Sequence, residues 1–173
     1  TGGPGSGSRA GTGGEGRAVC GAWARCRAAL GEGGCRPAEA GALKALNAML
    51  STGSPLSVES FHCGYEHIKS DLCLSSISGG TDIISCFALG NPAGPVYEGE
   101  LQVRGLGMKV EAFDYKGNSV EGEKAELVCT RSFPSMPIYF WADPDGAKYH
   151  KAYFAVYDNI WHHGDFVEVT DSG

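Results

Sequence analysis

The pentapeptide Ser78-Gly79-Gly80-Thr81-Asp82 sets two glycines, a hydroxyl and a carboxylate in succession at the end of an apolar run. Gly79 and Gly80 let backbone N–H groups approach an anion closely. Thr81 can donate to a phosphate oxygen, and Asp82 can hold a hard cation such as Mg²⁺. Just upstream, Leu72, Leu74 and Ile77 stand among serines, the composition of a short buried strand feeding a turn. Ligand loops occur at such strand ends. Glycine, threonine and aspartate are also ordinary turn formers, so by itself the pentapeptide reads first as a plain turn.

The elements that must position these groups follow from periodicity. Leu43, Leu46, Met49 and Leu50 fall at helical spacing among alanines and predict a helix over 37–50. Val58, Phe61, Tyr65, Ile68 and Leu72 step by three and four, predicting a second helix over 57–72 with one apolar stripe. His62 and His67 on that helix read as surface or boundary residues rather than ligands. After Gly94 the period shortens to two, and strands are expected over 100–103, 109–114, 126–130 and 166–169. Turn chemistry separates them at 115–118 and 143–146, and a short helix over 148–157 carries Tyr149 and Tyr153 on one side. The fold class expected is α/β followed by mainly β.

Composition narrows the function classes. A chain of 173 residues with 42% hydrophobic content can bury one substantial core. Net charge is −6, distributed as +3 over residues 1–36 and −9 over the remainder, and so acidic a body excludes a nucleic-acid surface as its main function. No apolar run reaches the ~18 residues of a membrane span, and the amino terminus lacks the compact apolar stretch of a secretion signal, so a cytosolic location is expected. The seven cysteines are odd in number and contain no CxxC pair, which argues against a zinc site or a closed disulfide framework. Cys63, Cys73, Cys86 and Cys129 lie in apolar-periodic segments and read as small core hydrophobes. Residues 1–37 are rich in Gly, Ala and Arg without a sustained period and are expected to be disordered. An α/β part over 38–98 and a β-rich part over 99–173 complete the expected organisation.

An ordered series of segments gives a more specific reading. Leu50-Ser-Thr-Gly-Ser-Pro-Leu56 is followed by Ser76-Ile-Ser-Gly-Gly-Thr-Asp-Ile-Ile-Ser-Cys-Phe87, then Pro95-Val-Tyr-Glu-Gly-Glu-Leu-Gln102 and Leu106-Gly-Met-Lys-Val-Glu-Ala-Phe113. Leu127-Val-Cys-Thr-Arg131, Phe133-Pro-Ser-Met-Pro137 and Trp161-His-His-Gly-Asp165 come after them. The series resembles the acetoacetate–CoA ligases of the adenylate-forming acyl-CoA synthetase and luciferase superfamily, over about residues 46–169. The resemblance implies the end of a layered α/β subdomain followed by part of a small β-barrel subdomain. It also implies ATP, Mg²⁺ and coenzyme A as the reaction's partners and acetoacetate as the acid.

Residue by residue, the resemblance makes Thr81 the phosphate-contacting threonine and Asp82 the acid associated with Mg²⁺, together the catalytic pair. Asp165 matches the aspartate whose two oxygens accept both ribose hydroxyls, a role suited to an acceptor-only, bidentate group. Gly53, Ser54 and Pro55 match the turn against adenine, and Gly80 belongs to the nucleotide-binding loop. Gly79 stands where the shorter-acid acetyl-CoA synthetases have a tryptophan walling the acyl pocket, so replacing an indole by hydrogen is expected to open room for acetoacetate. Ala125 stands where the family usually has glycine, and backbone strain is expected there. The superfamily's phosphate loop ending in Pro-Lys does not precede Leu50, and its carboxy-terminal domain does not follow Val169. The resemblance therefore implies an internal piece of the enzyme, with little activity of its own.

Rival readings are another short-chain acyl-CoA synthetase and a non-catalytic nucleotide-binding segment. A serine hydrolase built from Ser54, His163 and Asp165 lacks a GxSxG elbow. A metal site at His162 and His163 is disfavoured because consecutive strand residues point to opposite faces.

Overall fold

The computed structural model describes the backbone of residues 18–23 and residues 43–173 in full. The chain divides into two compact units, Thr1–Ser78 with Leu89–Gln102, and Gly79–Ala88 with Val103–Gly173.

In the first unit, strands β1 (Ala18–Trp23), β2 (Leu46–Thr52) and β3 (Cys73–Ser76) form a parallel sheet in that order. Two expectations change here. Residues 18–23 lie within the segment expected to be disordered, yet they pair along β2; the rest of 1–37 lies outside the described residues. The helix expected over 37–50 is replaced from Leu46 onward by β2, and residues 37–42 lie outside the described residues. The cause is the position of β2 between two parallel partners: a strand flanked on both edges and covered on its faces needs no alternation, so Leu46 and Met49, both buried, mimic helical spacing.

Helix α1 (Val58–Cys63) starts at Ser57, whose hydroxyl accepts from the Ser60 N–H at 3.3 Å. It gives way to a π-helical turn, Gly64–Ile68, closed by Lys69 N–H donating to the Gly64 carbonyl at 3.1 Å. The α-helix expected through residue 72 is thus shorter. At Gly64 a Cβ would lie 2.7 Å from Leu74 Cδ2, so glycine admits β3 at close range. Phe61, Ile68 and Leu72 are buried as the stripe requires and join Leu46, Met49, Leu56 and Leu74 in one core, whereas Val58 is exposed.

Gln102 ties the end of this unit together. Its Oε1 accepts from Ser75 Oγ at 3.0 Å and Asn91 N at 3.1 Å, while its Nε2 donates to the Asn91 and Pro95 carbonyls at 3.0 and 2.9 Å.

The second unit is mainly β, as expected for the later part of the chain. Strands β4 (Ser78–Gly80), β5 (Ser85–Leu89) and β6 (Val103–Arg104) form one small sheet. Strands β7 (Val110–Phe113), β8 (Ser119–Val120), β9 (Ala125–Cys129) and β10 (Trp161–Val167) form an antiparallel sheet in the order β10-β9-β7-β8. The β7–β8 hairpin turns at Asp114, whose carboxylate accepts from the N–H groups of Lys116 and Asn118, both at 2.8 Å. Ala125 is buried and paired with Val167, and it is not among the residues with positive φ; the strain expected there is absent because a paired strand position suits alanine. Ile83, Phe87, Val110, Leu127, Phe133 and Trp161 are central to this unit's core.

Helix α2 (Ala147–Tyr153) precedes β10 and occupies part of the helix expected over 148–157. The carboxylate of Asp143 holds its first turn, accepting from Lys148 N at 3.0 Å and Tyr149 N at 2.9 Å. Burial opposes ionisation of Asp143, but these N–H donors outweigh it and hold the carboxyl below its ordinary range. Cys129 is buried in the core, and Cys63, Cys73 and Cys86 are half-buried and free, in keeping with their reading as small hydrophobes. Among the described residues, no helix is long and apolar enough to cross a membrane.

Candidate functional site

Thr81 and Asp82 open a four-residue turn between β4 and β5. The turn is closed by Ile84 N–H donating to the Thr81 carbonyl at 3.3 Å, with Ile84 itself at a φ of +47°. Ile83 is fully buried beside Phe87 and pins the turn to the core, which leaves the side chains of Thr81 and Asp82 in solvent. One apolar anchor thus presents two polar groups outward, the geometry a ligand loop needs.

Asp82 is not free on that turn. Its Oδ2 accepts from the Tyr153 hydroxyl at 2.5 Å, across 71 positions of sequence. Tyr153 ends α2, and its ring stacks on Trp161 with centroids 3.6 Å apart and planes 14° from parallel. Trp161 is 1% exposed and meets Phe133, Phe154 and Tyr149 edge-on. Burial, with the adjoining Asp82 carboxylate, pushes the Tyr153 phenol up to about 12, so it remains a donor at neutral pH.

From Trp161 the contacts continue along β10. The indole N–H donates to His163 Nδ1 at 3.4 Å, which assigns the remaining proton of the neutral ring to Nε2. That nitrogen lies 3.4 Å from the Gly79 carbonyl oxygen and 3.7 Å from Asp165 Oδ2. The ring also meets Phe87 at a centroid distance of 4.8 Å. His162 faces the other way, toward Glu126 at 3.0 Å and the Tyr157 ring, as strand alternation requires.

Asp165 owes its exposure to a break in pairing. The register between β10 and β9 shifts between His162 and Phe166, and Gly164 within the break has a φ of +85° that only glycine adopts readily. The break turns the Asp165 carboxylate outward, with 59% of its side chain in solvent.

Gly79 and Gly80 serve closeness of approach. At Gly79 a Cβ would overlap the Ser85 carbonyl oxygen and lie 2.8 Å from the Cys86 Cα; at Gly80 it would lie 3.0 Å from His163 Cε1. The direction a side chain would take from Gly79 is therefore filled by the neighbouring strand. Along that direction β5 packs backbone to backbone against β4.

In the first unit, Gly53, Ser54 and Pro55 form an exposed turn after β2, and Gly53 has a φ of +89°. The turn leads into α1, while Ile77 N–H donates to the Ser51 carbonyl at 2.8 Å just past β3. It thus follows the carboxyl end of a parallel strand, the usual place for ligand loops in α/β sheets.

Of the sequence-predicted residues, Gly79, Gly80, Thr81, Asp82 and Asp165 belong to the second unit and Gly53, Ser54 and Pro55 to the first. Within the second unit, His163 links the Gly79 carbonyl to Asp165, and Tyr153 engages Asp82. Sequence reasoning missed Tyr153, Trp161 and His163 as parts of the site; the pairing of Tyr149 with Tyr153 on one helical side was the available signal. An open depression of about 400 Å³, lined by residues including Arg104, Lys109, Glu111 and Val169, contains none of the predicted site residues.

Asp82 suits a hard cation in part. Its second oxygen accepts no hydrogen bond from the described residues, and no group of three or more His, Cys, Asp or Glu among them could hold a metal. A cation there would draw its remaining ligands from phosphate and water, which is how Mg²⁺ commonly binds.

No family model matches the chain. The acetoacetyl-coenzyme A synthetase of Rhizobium meliloti is 57% identical to it over 156 residues, covering 90% of this chain and 24% of that protein. Over that stretch the chain is similar to acetoacetyl-CoA synthetases. The acetoacetyl-CoA synthetase structure from Streptomyces lividans superposes with a TM-score of 0.83 at 41% identity, covering 90% of this chain and 24% of that one. The anthranilate CoA ligase AuaEII, solved with anthranoyl-AMP, shares the fold at a TM-score of 0.71 and 16% identity, covering 90% of this chain and 28% of its own. The fold is therefore part of that of the adenylate-forming enzymes. The chain spans about a quarter of the length of the relatives it matches. An alignment of 156 residues in a chain of 173 must include residues 18–37, so the similarity begins well before residue 46, and the strand at Ala18–Trp23 lies inside it.

Proposed function

We propose that this chain forms the central part of the substrate site of an acetoacetate–CoA ligase. In that reaction an acetoacetate oxygen attacks the α-phosphorus of ATP, the bond to pyrophosphate breaks, and acetoacetyl-adenylate results. The sulfur of coenzyme A then attacks the acyl carbon, AMP departs with the bonding electrons, and the thiol proton passes to solvent. The observation that carries the reading is the 57% identity to a relative bearing that name. The exposed Thr81-Asp82 turn supports it from the side of geometry.

Each residue has a role its chemistry allows. The Thr81 hydroxyl donates to a phosphate oxygen. Asp82 holds Mg²⁺, which when bound offsets phosphate charge. Asp165 receives the two ribose hydroxyls, and its place on the strand break keeps 59% of its side chain in solvent. Gly53, Ser54 and Pro55 lie against adenine, where a turn without bulky side chains admits a purine face. Gly80 keeps the loop backbone close to phosphate. Gly79 contributes to the acyl side through its backbone, since the side-chain direction is filled. A cytosolic site of action accords with these soluble substrates.

The glycine at 79 is accounted for by strand packing and so does not by itself select acetoacetate. Another short-chain acid therefore remains the second reading.

The test replaces the matching stretch of the Rhizobium meliloti enzyme with residues 18–173 and measures acid- and CoA-dependent AMP release. Acetoacetate is expected to support turnover above acetate and longer acids. A folded chimaera preferring a simple fatty acid overturns the acid assignment, and one with no AMP release for any acid overturns the ligase reading. Asp165→Ala is expected to weaken ATP binding by about 1.5–3 kcal/mol, the range of a charged hydrogen bond. In the 173-residue chain alone, ATP titration followed by NMR is expected to shift the amides of 164–166, and unshifted amides remove Asp165 from the site.

A further inference from the structure

We propose that Tyr153 is a positioning residue for Asp82, anchoring one carboxylate oxygen so that the other is aimed at the magnesium–phosphate ligand. The inference rests on the adenylate-forming reading given above. It adds a residue from a distant helix to a loop that otherwise looks self-contained.

Three observations carry it. Asp82 lies on an exposed turn and, with a free side chain, would populate several rotamers. The Tyr153 hydroxyl reaches its Oδ2 at 2.5 Å, and no described residue donates to its other oxygen. Tyr153 itself is held: its ring lies 3.6 Å from the buried Trp161 ring, and the helix it ends is fastened at its first turn by Asp143. A rigid donor thus fixes a mobile acceptor. A carboxylate has about four lone-pair sites, so one phenol bond leaves ample capacity for a cation on the far oxygen. A neutral phenol also adds no charge that would compete with the metal.

The opposite role is physically available and has the opposite sign. If the phenol occupied the place of the cation, removing it would ease metal binding. Tyr153→Phe separates the two because it keeps the ring stacked on Trp161 and deletes only the hydroxyl.

In the chimaera described above, Tyr153→Phe is expected to raise the Mg²⁺ concentration for half-maximal AMP release about tenfold, with KM for acetoacetate unmoved. Paired with Asp82→Asn, it is expected to add no further effect, since no carboxylate remains to be aimed. In the 173-residue chain, the Asp82 Hα–Hβ couplings are followed by NMR. They are expected to report one χ1 rotamer in the wild type and an average over several in Tyr153→Phe. An unchanged or lowered Mg²⁺ requirement in Tyr153→Phe overturns the proposal, as do Asp82 couplings indifferent to Tyr153→Phe. A wild-type chimaera that folds and releases no AMP overturns the ligase reading and the metal role with it, while the couplings still report separately whether Tyr153 holds Asp82.

Discussion

Gly79→Ala tests whether the glycine before the Thr81-Asp82 turn exists for strand packing or for an open pocket. The added methyl would overlap the Ser85 carbonyl oxygen and stand 2.8 Å from the Cys86 Cα and 3.0 Å from the Ser85 carbonyl carbon. All three atoms are backbone, so no rotamer change relieves the contact. Restoring a carbon–carbon separation of about 3.5 Å to Cys86 alone requires β5 to move away by about 0.7 Å, and relieving the closer overlap with the Ser85 carbonyl oxygen requires more. Such a shift strains β5, whose Phe87 is fully buried and whose carbonyl at Phe87 accepts from Gly105 N–H at 2.8 Å. Overpacking of this kind costs about 1–3 kcal/mol, and a backbone wall puts the expected loss near the upper end, about 3 kcal/mol. Gly80→Ala is the internal control. Its methyl would sit 3.0 Å from His163 Cε1, a side-chain atom rather than backbone, so a smaller loss of about 1 kcal/mol is expected. Urea unfolding followed by near-ultraviolet circular dichroism reads the aromatic cluster of this unit directly. Gly79→Ala within about 0.5 kcal/mol of the wild type would refute the packing account and return the glycine to the acyl pocket.

Trp161→Ala removes the ring on which Tyr153 stacks and is expected to cost about 3–5 kcal/mol in the same unfolding assay. Trp161→Phe keeps much of the stack but loses the indole donor to His163 Nδ1, so the long-range ¹H–¹⁵N spectrum of His163 should show a mixture of tautomers in place of one protonated at Nε2. Asp143, whose folded carboxyl is held below its ordinary range, contributes stability that is complete above about pH 4 and is lost as pH falls through the depressed value; amide exchange in α2 between about pH 2 and 5 should show this limb, and Asp143→Asn should abolish it. Gln102→Ala leaves Ser75 Oγ and Asn91 N without their acceptor and is expected to destabilise the first unit by about 1–3 kcal/mol, with faster exchange at Asn91.

The β-rich half was legible because its strands are short and bounded by turn residues. Asp114 to Asn118 and Asp143 to Gly146 turn where their side-chain chemistry says they should, and alternation marks Val110–Phe113 and Ala125–Cys129. The first half misled for the reason that makes it an α/β sheet. A strand between two parallel partners loses alternation, so Leu46–Thr52 carries the spacing of a helix. Ala18–Trp23 could not be read at all, because its pairing partner is 28 positions away at the first register pair, and local composition carries no trace of it.

The turn at Thr81 and Asp82 was legible for the same local reasons, but what acts on it was not. A hydrogen bond spanning 71 positions depends on α2 and β10 folding so that Tyr153 and Trp161 stack, and only the Tyr149–Tyr153 spacing hints at an organised helical face. The Trp161-His162-His163-Gly164-Asp165 segment shows how much a strand break can hide. In an unbroken strand, Trp161, His163 and Asp165 would share one face, with His162 on the other. The shift between His162 and Phe166 preserves the inward Trp161 and His163 while releasing Asp165 to solvent, with Gly164 absorbing the backbone change. That division gives His163 its two neighbours, the Gly79 carbonyl and the Asp165 carboxylate. Filling Gly164 with alanine, at a φ of +85°, should therefore disturb Asp165 before it disturbs the core, since nothing lies within 4 Å of the added methyl. Amide shifts confined to 163–166 with an unchanged urea midpoint for the core would bear this out, whereas loss of the Trp161 aromatic signal would show that the break also supports the core.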